Sequence, residues 1–109
     1  VARVREACEA IGRDPGSLVF SIAGETAAGP TDAVVAARAA ASGSSVADIT
    51  RGGFAGSAAQ IADKIGALRE LGFTRVYFQL LDIHDLDHIA LIGAEVLPHV
   101  APSTTGALA

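Results

Sequence analysis

The stretch TRVYFQLL, Thr74 to Leu81, does most to limit what this chain can fold into. Its β-branched and aromatic residues read as a strand. Side chains alternate along a strand, so Val76, Phe78 and Leu80 share one face and Tyr77, Gln79 and Leu81 share the other. Both faces are largely apolar, as in a parallel strand covered on both sides. The strand starts almost directly after a helix. Ser57 and Gln60 have the spacing of a capping box, and Ile61, Ile65, Leu68 and Leu71 form an apolar stripe with Ala62 beside it. Gly72 ends that helix. A capped helix, a tight stop and a two-faced strand together predict an α/β fold with parallel strands.

The same order occurs once upstream. Val1 to Ile11 is amphipathic, with Val4, Ala7, Cys8 and Ile11 on one face. Gly12 and the RDPGS turn follow, and LVFSIAG, Leu18 to Gly24, reads as a short strand. ETAAGP reads as a loop. Thr31 caps an Ala-rich helix that runs to about Ser42. Residues 43–56 form a Ser/Gly-rich connection, expected to be a flexible loop. A final helix is expected from about Asp85 to Val100, and residues 101–109 form a small, polar tail.

Two parallel strands with about four helices do not make a finished sheet. They leave unpaired edges and too little sheet to bury the helix faces. Residues 1–109 therefore read as a single incomplete domain. Its missing strands are expected from an absent N-terminal portion or from another copy of the chain. The first residue, Val1, falls inside an amphipathic pattern, which fits a segment of something longer.

Charge and composition narrow the partners. The net charge of −4 and scattered Lys and Arg leave no basic cluster to neutralise phosphates, which argues against nucleic acid. No apolar run reaches membrane-spanning length and no signal peptide is visible. The single Cys8 excludes an intramolecular disulfide and reads as a buried, inert thiol. A cytoplasmic location is expected.

His84 and His88 stand four apart in IHDLDH, a spacing that can hold a metal on a helix. A helical wheel gathers Leu86, Ile89, Ala90, Gly93, Val96 and Leu97 on the side expected to be buried. His84, His88, Ile92 and Glu95 project from the other side. Two histidines and a carboxylate on a solvated face do not close a coordination shell, so no metal site is expected. Asp82, Asp85 and Asp87 suit a helix N-terminus, and His99 suits a helix C-terminus.

The segments EACEAIGRDPGSL and GFAGSAAQIADKIGALRELGFTRVYFQLLDIHDLDHIALIGAEVLPHV resemble the C-terminal end of the luciferase-like monooxygenase family. That family comprises flavin-dependent monooxygenases and oxidoreductases that use the deazaflavin coenzyme. Gly56 and Ser57 match the family's Gly–Thr/Ser–Pro loop, while Ala58 stands where Pro is common. The matching residues are packing, capping and turn residues, and none is a catalytic signature. The resemblance implies a TIM-type (βα)8 barrel, with Leu18–Gly24 as its seventh strand and Thr74–Leu81 as its eighth. Chemistry in such barrels sits at the carboxyl ends of strands. That nominates Ala23, Gly24, Glu25 and Thr26 after one strand, and Gln79, Leu81 and Asp82 at the other. Gln79, Glu25 and Gly24 are the expected cofactor contacts, with Gln79 first, because an amide late in an apolar strand needs a partner. No catalytic acid or base is assigned. FMN or deazaflavin would belong to the parent protein; the family's glycine-rich phosphate segment lies upstream of the part matched, so this chain alone is expected to hold neither and to be inactive.

Two further readings come from the residues themselves. One is a non-enzymatic module that assembles with itself through strand edges and apolar helix faces. The other, weaker, is a small metal or phosphate binder built on HDLDH and on Arg51 with the Gly52–Gly53 pair, which reads more simply as a hinge.

Overall fold

In the computed structural model, which describes residues 1–100, the protein is a mixed α/β fold around a three-stranded parallel sheet. The elements are α1 (Ala2–Ala10), a single 3-10 turn (Pro15–Ser17), β1 (Ser21–Ala28), α2 (Asp32–Ala41), α3 (Val46–Gly52), β2 (Phe54–Gly56), α4 (Ala58–Glu70) and β3 (Arg75–Gln79). The final helical run comprises α5 (Leu86–Leu91), a π-helical turn (Ile92–Val96) and α6 (Leu97–Val100). The 101–109 tail lies outside the described residues.

Strand order is β2-β1-β3. β1 is central but its two neighbours flank different halves of it. Ser21 to Glu25 pair with Arg75 to Gln79 of β3, and Thr26 to Ala28 pair with Phe54 to Gly56 of β2. The chain moves from β1 to β2 on one side, then crosses back past β1 to β3. Right-handed crossovers in opposite directions must use opposite faces of the sheet. The packing follows that rule. Val35, Ala39 and Ile49 of α2 and α3 meet Ala27, with Val46 and Ala55 alongside. On the other face, Ile61 and Ile65 of α4 and Ile92 and Val96 of the π turn meet Phe54 and Ala28, with Ile22, Val76 and Phe78 packed against them. The Phe54 and Phe78 rings meet edge to face at 5.3 Å between centroids.

Local chemistry explains most boundaries. Ser57 and Gln60 form the expected capping box, with the Gln60 N–H donating to Ser57 Oγ at 3.2 Å and the Ser57 N–H donating to Gln60 Oε1 at 2.8 Å. Thr31 caps α2 as expected. Gly72 adopts a φ of 104°, a left-handed conformation that stops α4. Cys8 is buried.

Five expectations are corrected. The first strand begins three residues later than expected and runs through Ala28, so ETAA is strand and not loop. The 43–56 connection is not an unstructured loop: it contains α3, capped by Ser45, and β2, which makes the strand number three and not two. The expected hinge at Gly52–Gly53 is a packed junction, since a Cβ on Gly24 would stand 2.7 Å from the Gly53 Cα and one on Gly53 would collide with the Glu25 carbonyl. β2 reaches β1 only because both positions lack a side chain. Finally, the last helix buries a different face. Val96 is buried as expected, but His88 and Ile92 are buried too, while Leu86 is 70% exposed and Ile89 and Leu97 are also exposed. His88 is turned inward by the bond it accepts from the Ala28 N–H, and the i→i+5 bonding of the π turn then keeps Val96 in line with Ile92. Leu71 at the end of α4 is exposed as well.

Candidate functional site

Ligands of open parallel sheets bind outside the carboxyl ends of the strands, where the direction of winding reverses. Here that point lies between β1 and β3, because the chain leaves β1 toward β2 and returns to pair β3 on the other side. The last register pair across it is Glu25 opposite Gln79. Two of the residues singled out in the sequence, far apart in the chain, therefore stand side by side. Alternation places Ala23, Tyr77 and Leu81 on the same face as this pair.

That face is bare beside β3. Tyr77 is 54% and Leu81 50% exposed, and Ala23 and Gln79 are exposed too. The expectation of cover on both faces of Thr74–Leu81 holds only for the Val76, Phe78 and Leu80 side. Toward the carboxyl end the bare surface ends at a wall made by α2, α3 and the turn between them. From that turn the Ser44 hydroxyl donates to the Glu25 carboxylate, at 3.0 Å to Oε1 and 3.3 Å to Oε2. Glu25 is half-buried and fixed by this contact. One hydroxyl hydrogen fills only part of a carboxylate's accepting capacity.

The other nominated residues divide by face. Gly24 points away from the pair, toward Phe54, where its missing Cβ makes room for the ring. Thr26 is buried on that same face and its hydroxyl donates to the Gly24 carbonyl at 3.0 Å. Asp82 accepts from the His84 N–H at 3.2 Å in the turn after β3. Arg51 pairs with Asp48 on the surface of α3.

A second polar cluster closes the end of β1. The Ala28 N–H donates to His88 Nε2 at 2.9 Å, and Arg38 Nη1 donates to the Ala28 carbonyl at 2.6 Å. Arg38 Nε also donates to Asp85 Oδ2 at 3.0 Å, while Asp85 Oδ1 caps α5 by accepting the His88 N–H at 3.1 Å. One strand residue thus ties α2 to α5. His88, expected on the surface, is 4% exposed. Burial pushes its pKa below the usual histidine value, the Arg38 charge adds to that, and Asp85 and Asp82 oppose it. The imidazole is therefore neutral, with Nε2 as the acceptor. Burial works to raise Asp85, but the hydrogen bonds from His88 and Arg38 and the nearby charges win, and its carboxyl is held below the usual range. The geometry makes this cluster a strut rather than a reactive centre: its facing groups are spent on each other.

Sequence reasoning missed Ser44 and the Arg38–Asp85–His88 strut. One signal for the strut was present, a lone Arg in the Ala-rich stretch DAVVAARAAA. Ser44 gave none, because a serine in a Ser/Gly-rich run has no pattern to stand out from.

Among the described residues, no group of three His, Cys, Asp or Glu side chains is placed to hold a metal ion. No helix among them is long and apolar enough to cross a membrane. An open groove of 560 Å³, lined by Ala58, Ala62, Asp63, Glu95 and His99, lies between α4 and the last helical run, on the opposite face from Glu25 and Gln79. Comparison with protein-family models, curated proteins and solved structures found no match to this chain.

Proposed function

We propose that this chain is the C-terminal part of a TIM-type (βα)8 barrel, and that the parent protein is a flavin- or deazaflavin-dependent oxidoreductase of the luciferase-like kind. The observation that supports the reading most is the Glu25–Gln79 pair on a bare, partly apolar sheet face at the carboxyl end of two parallel strands. In a barrel, one sheet face looks inward and the other carries the helices. α4 and the last helical run both lie on the Val76–Phe78 side, which would be the outer layer. Tyr77, Gln79 and Leu81 would then look inward, and α2–α3 would cap the mouth of the barrel above them. The missing strands would pair with the free edge of β3 and with the edge of Ser21–Glu25 that β2 leaves open. The cofactor ring would carry the hydride or oxygen chemistry, with the protein supplying orientation and a dry cavity.

The test is titration of the full-length gene product with FMN and with deazaflavin coenzyme, followed by absorbance and fluorescence. Micromolar binding is expected, with the isolated 109-residue chain binding neither at that level. A full-length product that binds no such ring overturns the proposal.

One observation favours a second reading, a self-associating α/β module. The same free edges and the exposed Val19, Tyr77, Leu81, Leu86 and Ile89 offer surface to another copy. Light scattering together with visible absorbance separates the two for this chain: a colourless dimer favours the second.

A further inference from the structure

We infer that the groove between α4 and the last helical run is a docking site for one helix of a partner protein, a helix that presents Arg or Lys on a face of small side chains. The groove lies on the helix side of the sheet, away from the strand ends. The inference therefore goes beyond the proposed function and does not rest on it.

The floor of the groove is alanine. Ala58, Ala59 and Ala62 of α4 and Ala94 of the π turn line a space of 560 Å³. Small side chains at a contact let helix axes approach to about 8 Å, the near end of helix-packing distances. Both walls are held by the core: Ile61 and Ile65 anchor α4, and Ile92 and Val96 anchor the π turn. The space is thus preformed. Single π turns inside helices recur at functional sites, and this one carries both Ala94 and Glu95 to the groove.

The rim is negative. Asp63 and Glu95 line the groove and are exposed, and among the described residues no Lys or Arg lines it. The ion pairs among the described residues, Arg38–Asp85 and Arg51–Asp48, lie elsewhere. An apolar floor between two carboxylates complements a small apolar face that carries a cation, and the planar fork of Arg suits a carboxylate best.

The shape selects a helix. An extended peptide would lay unpaired N–H and C=O groups against two helices whose own backbone groups are already bonded. A helix arrives with its backbone satisfied and seats its side chains in the groove. No helix of this chain supplies that occupant. In each of α1, α2, α3 and α4 the acidic and basic residues balance, and Leu86 to Val100 contains no Lys or Arg. The complement is a basic helix from a different protein.

The experiment uses the 109-residue chain and two synthetic Ala-rich peptides of about 20 residues, long enough to be helical. One carries two Arg four positions apart, on one face, and its twin carries Glu at both. In an amide NMR titration the Arg peptide is expected to shift Ala59, Ala62, Ala94 and Glu95. The Glu peptide is expected to bind about fivefold more weakly. Asp63→Lys combined with Glu95→Lys should reverse that preference. Ala59→Leu combined with Ala94→Leu fills the groove at two exposed positions and should abolish the shifts, with the circular dichroism spectrum unchanged. Equal affinity for the two peptides, shifts confined to another surface, or no binding at millimolar Arg peptide overturns the inference. A dilution series of the chain alone is the remaining control: Ala59 and Ala94 signals that move with protein concentration would seat a second copy in the groove and overturn it too.

Discussion

Two side chains of the strut, His88 and Asp85, make this fold sensitive to acid. Burial and Arg38 lower the folded pKa of His88 below its ordinary value of 6.5. The unfolded chain therefore takes up a proton near that pH while the folded chain refuses it. Stability is full above about 6.5 and falls as pH drops below it, until the lower folded value is reached. Asp85 acts in the same direction at more acid pH: its lowered pKa contributes stability above its ordinary value of 3.8, which is lost as pH falls through the folded value. Urea denaturation at a series of pH values should show both declines. His88→Leu should abolish the first. It should also cost about 1–3 kcal/mol at pH 8, because the Ala28 N–H loses its partner in a buried place. His84→Leu, on an exposed residue, should do neither. An unchanged pH profile in the His88 variant would show that the strut does not carry the acid sensitivity.

Elements show where sequence was legible and where it was not. Long periodic or capped segments declared themselves: the Ser57–Gln60 box, the Gly72 stop and the alternation in β3 all stand where the residues put them. β2 did not, because three residues, FAG, are too few for any period to show. What places it is glycine at 24 and 53, a property of two backbones meeting and not of either segment alone. α3 was readable in principle, since Ser45 and Asp48 have N-cap spacing and the Asp48 N–H donates to Ser45 Oγ at 3.1 Å. The site was half legible. Gln79 and Glu25 could be nominated from strand ends, but their pairing depends on register, and Ser44 depends on where a turn lands. Gly53→Ala tests the account of β2. The new Cβ would meet the Glu25 carbonyl, so β2 should detach, with faster hydrogen exchange at Gly29, whose N–H donates to the Gly56 carbonyl at 3.2 Å, and a loss of more than about 2 kcal/mol. Ser57→Ala should cost about 1 kcal/mol through the lost cap and leave that exchange rate unchanged. Were the two variants to behave alike, the close approach would not be what positions β2.

At the scale of the whole molecule, the balance between covered and uncovered apolar surface governs behaviour. Among the described residues, the fully buried large side chains are few: Phe54, Ile49, Ile61 and Val96. Against them stand Val19, Tyr77, Leu81, Ile83, Leu86, Ile89 and Leu97, all exposed. The radius of gyration, 15.7 Å, exceeds the roughly 13 Å of a compact chain of 100 residues. α1 accounts for part of that, since it packs chiefly on the Pro15–Ser17 turn and through Arg5 over the Phe20 ring. Burying each exposed large side chain would contribute about 1.5–3 kcal/mol, which is large against the few kcal/mol a core of this size supplies. If such surface draws a partner, the partner at hand in a solution of one polypeptide is another copy. The stability of the isolated chain should therefore depend on its own concentration. Raising the protein from micromolar to hundreds of micromolar should move the urea midpoint upward, while light scattering reports growth beyond a monomer. A Tyr77→Lys, Leu81→Lys double variant places charge on the bare sheet face and should suppress both effects. If the midpoint stays fixed across that range and the mass remains that of one chain, the uncovered face is stable in water, and neither missing strands nor a second copy is needed to explain it.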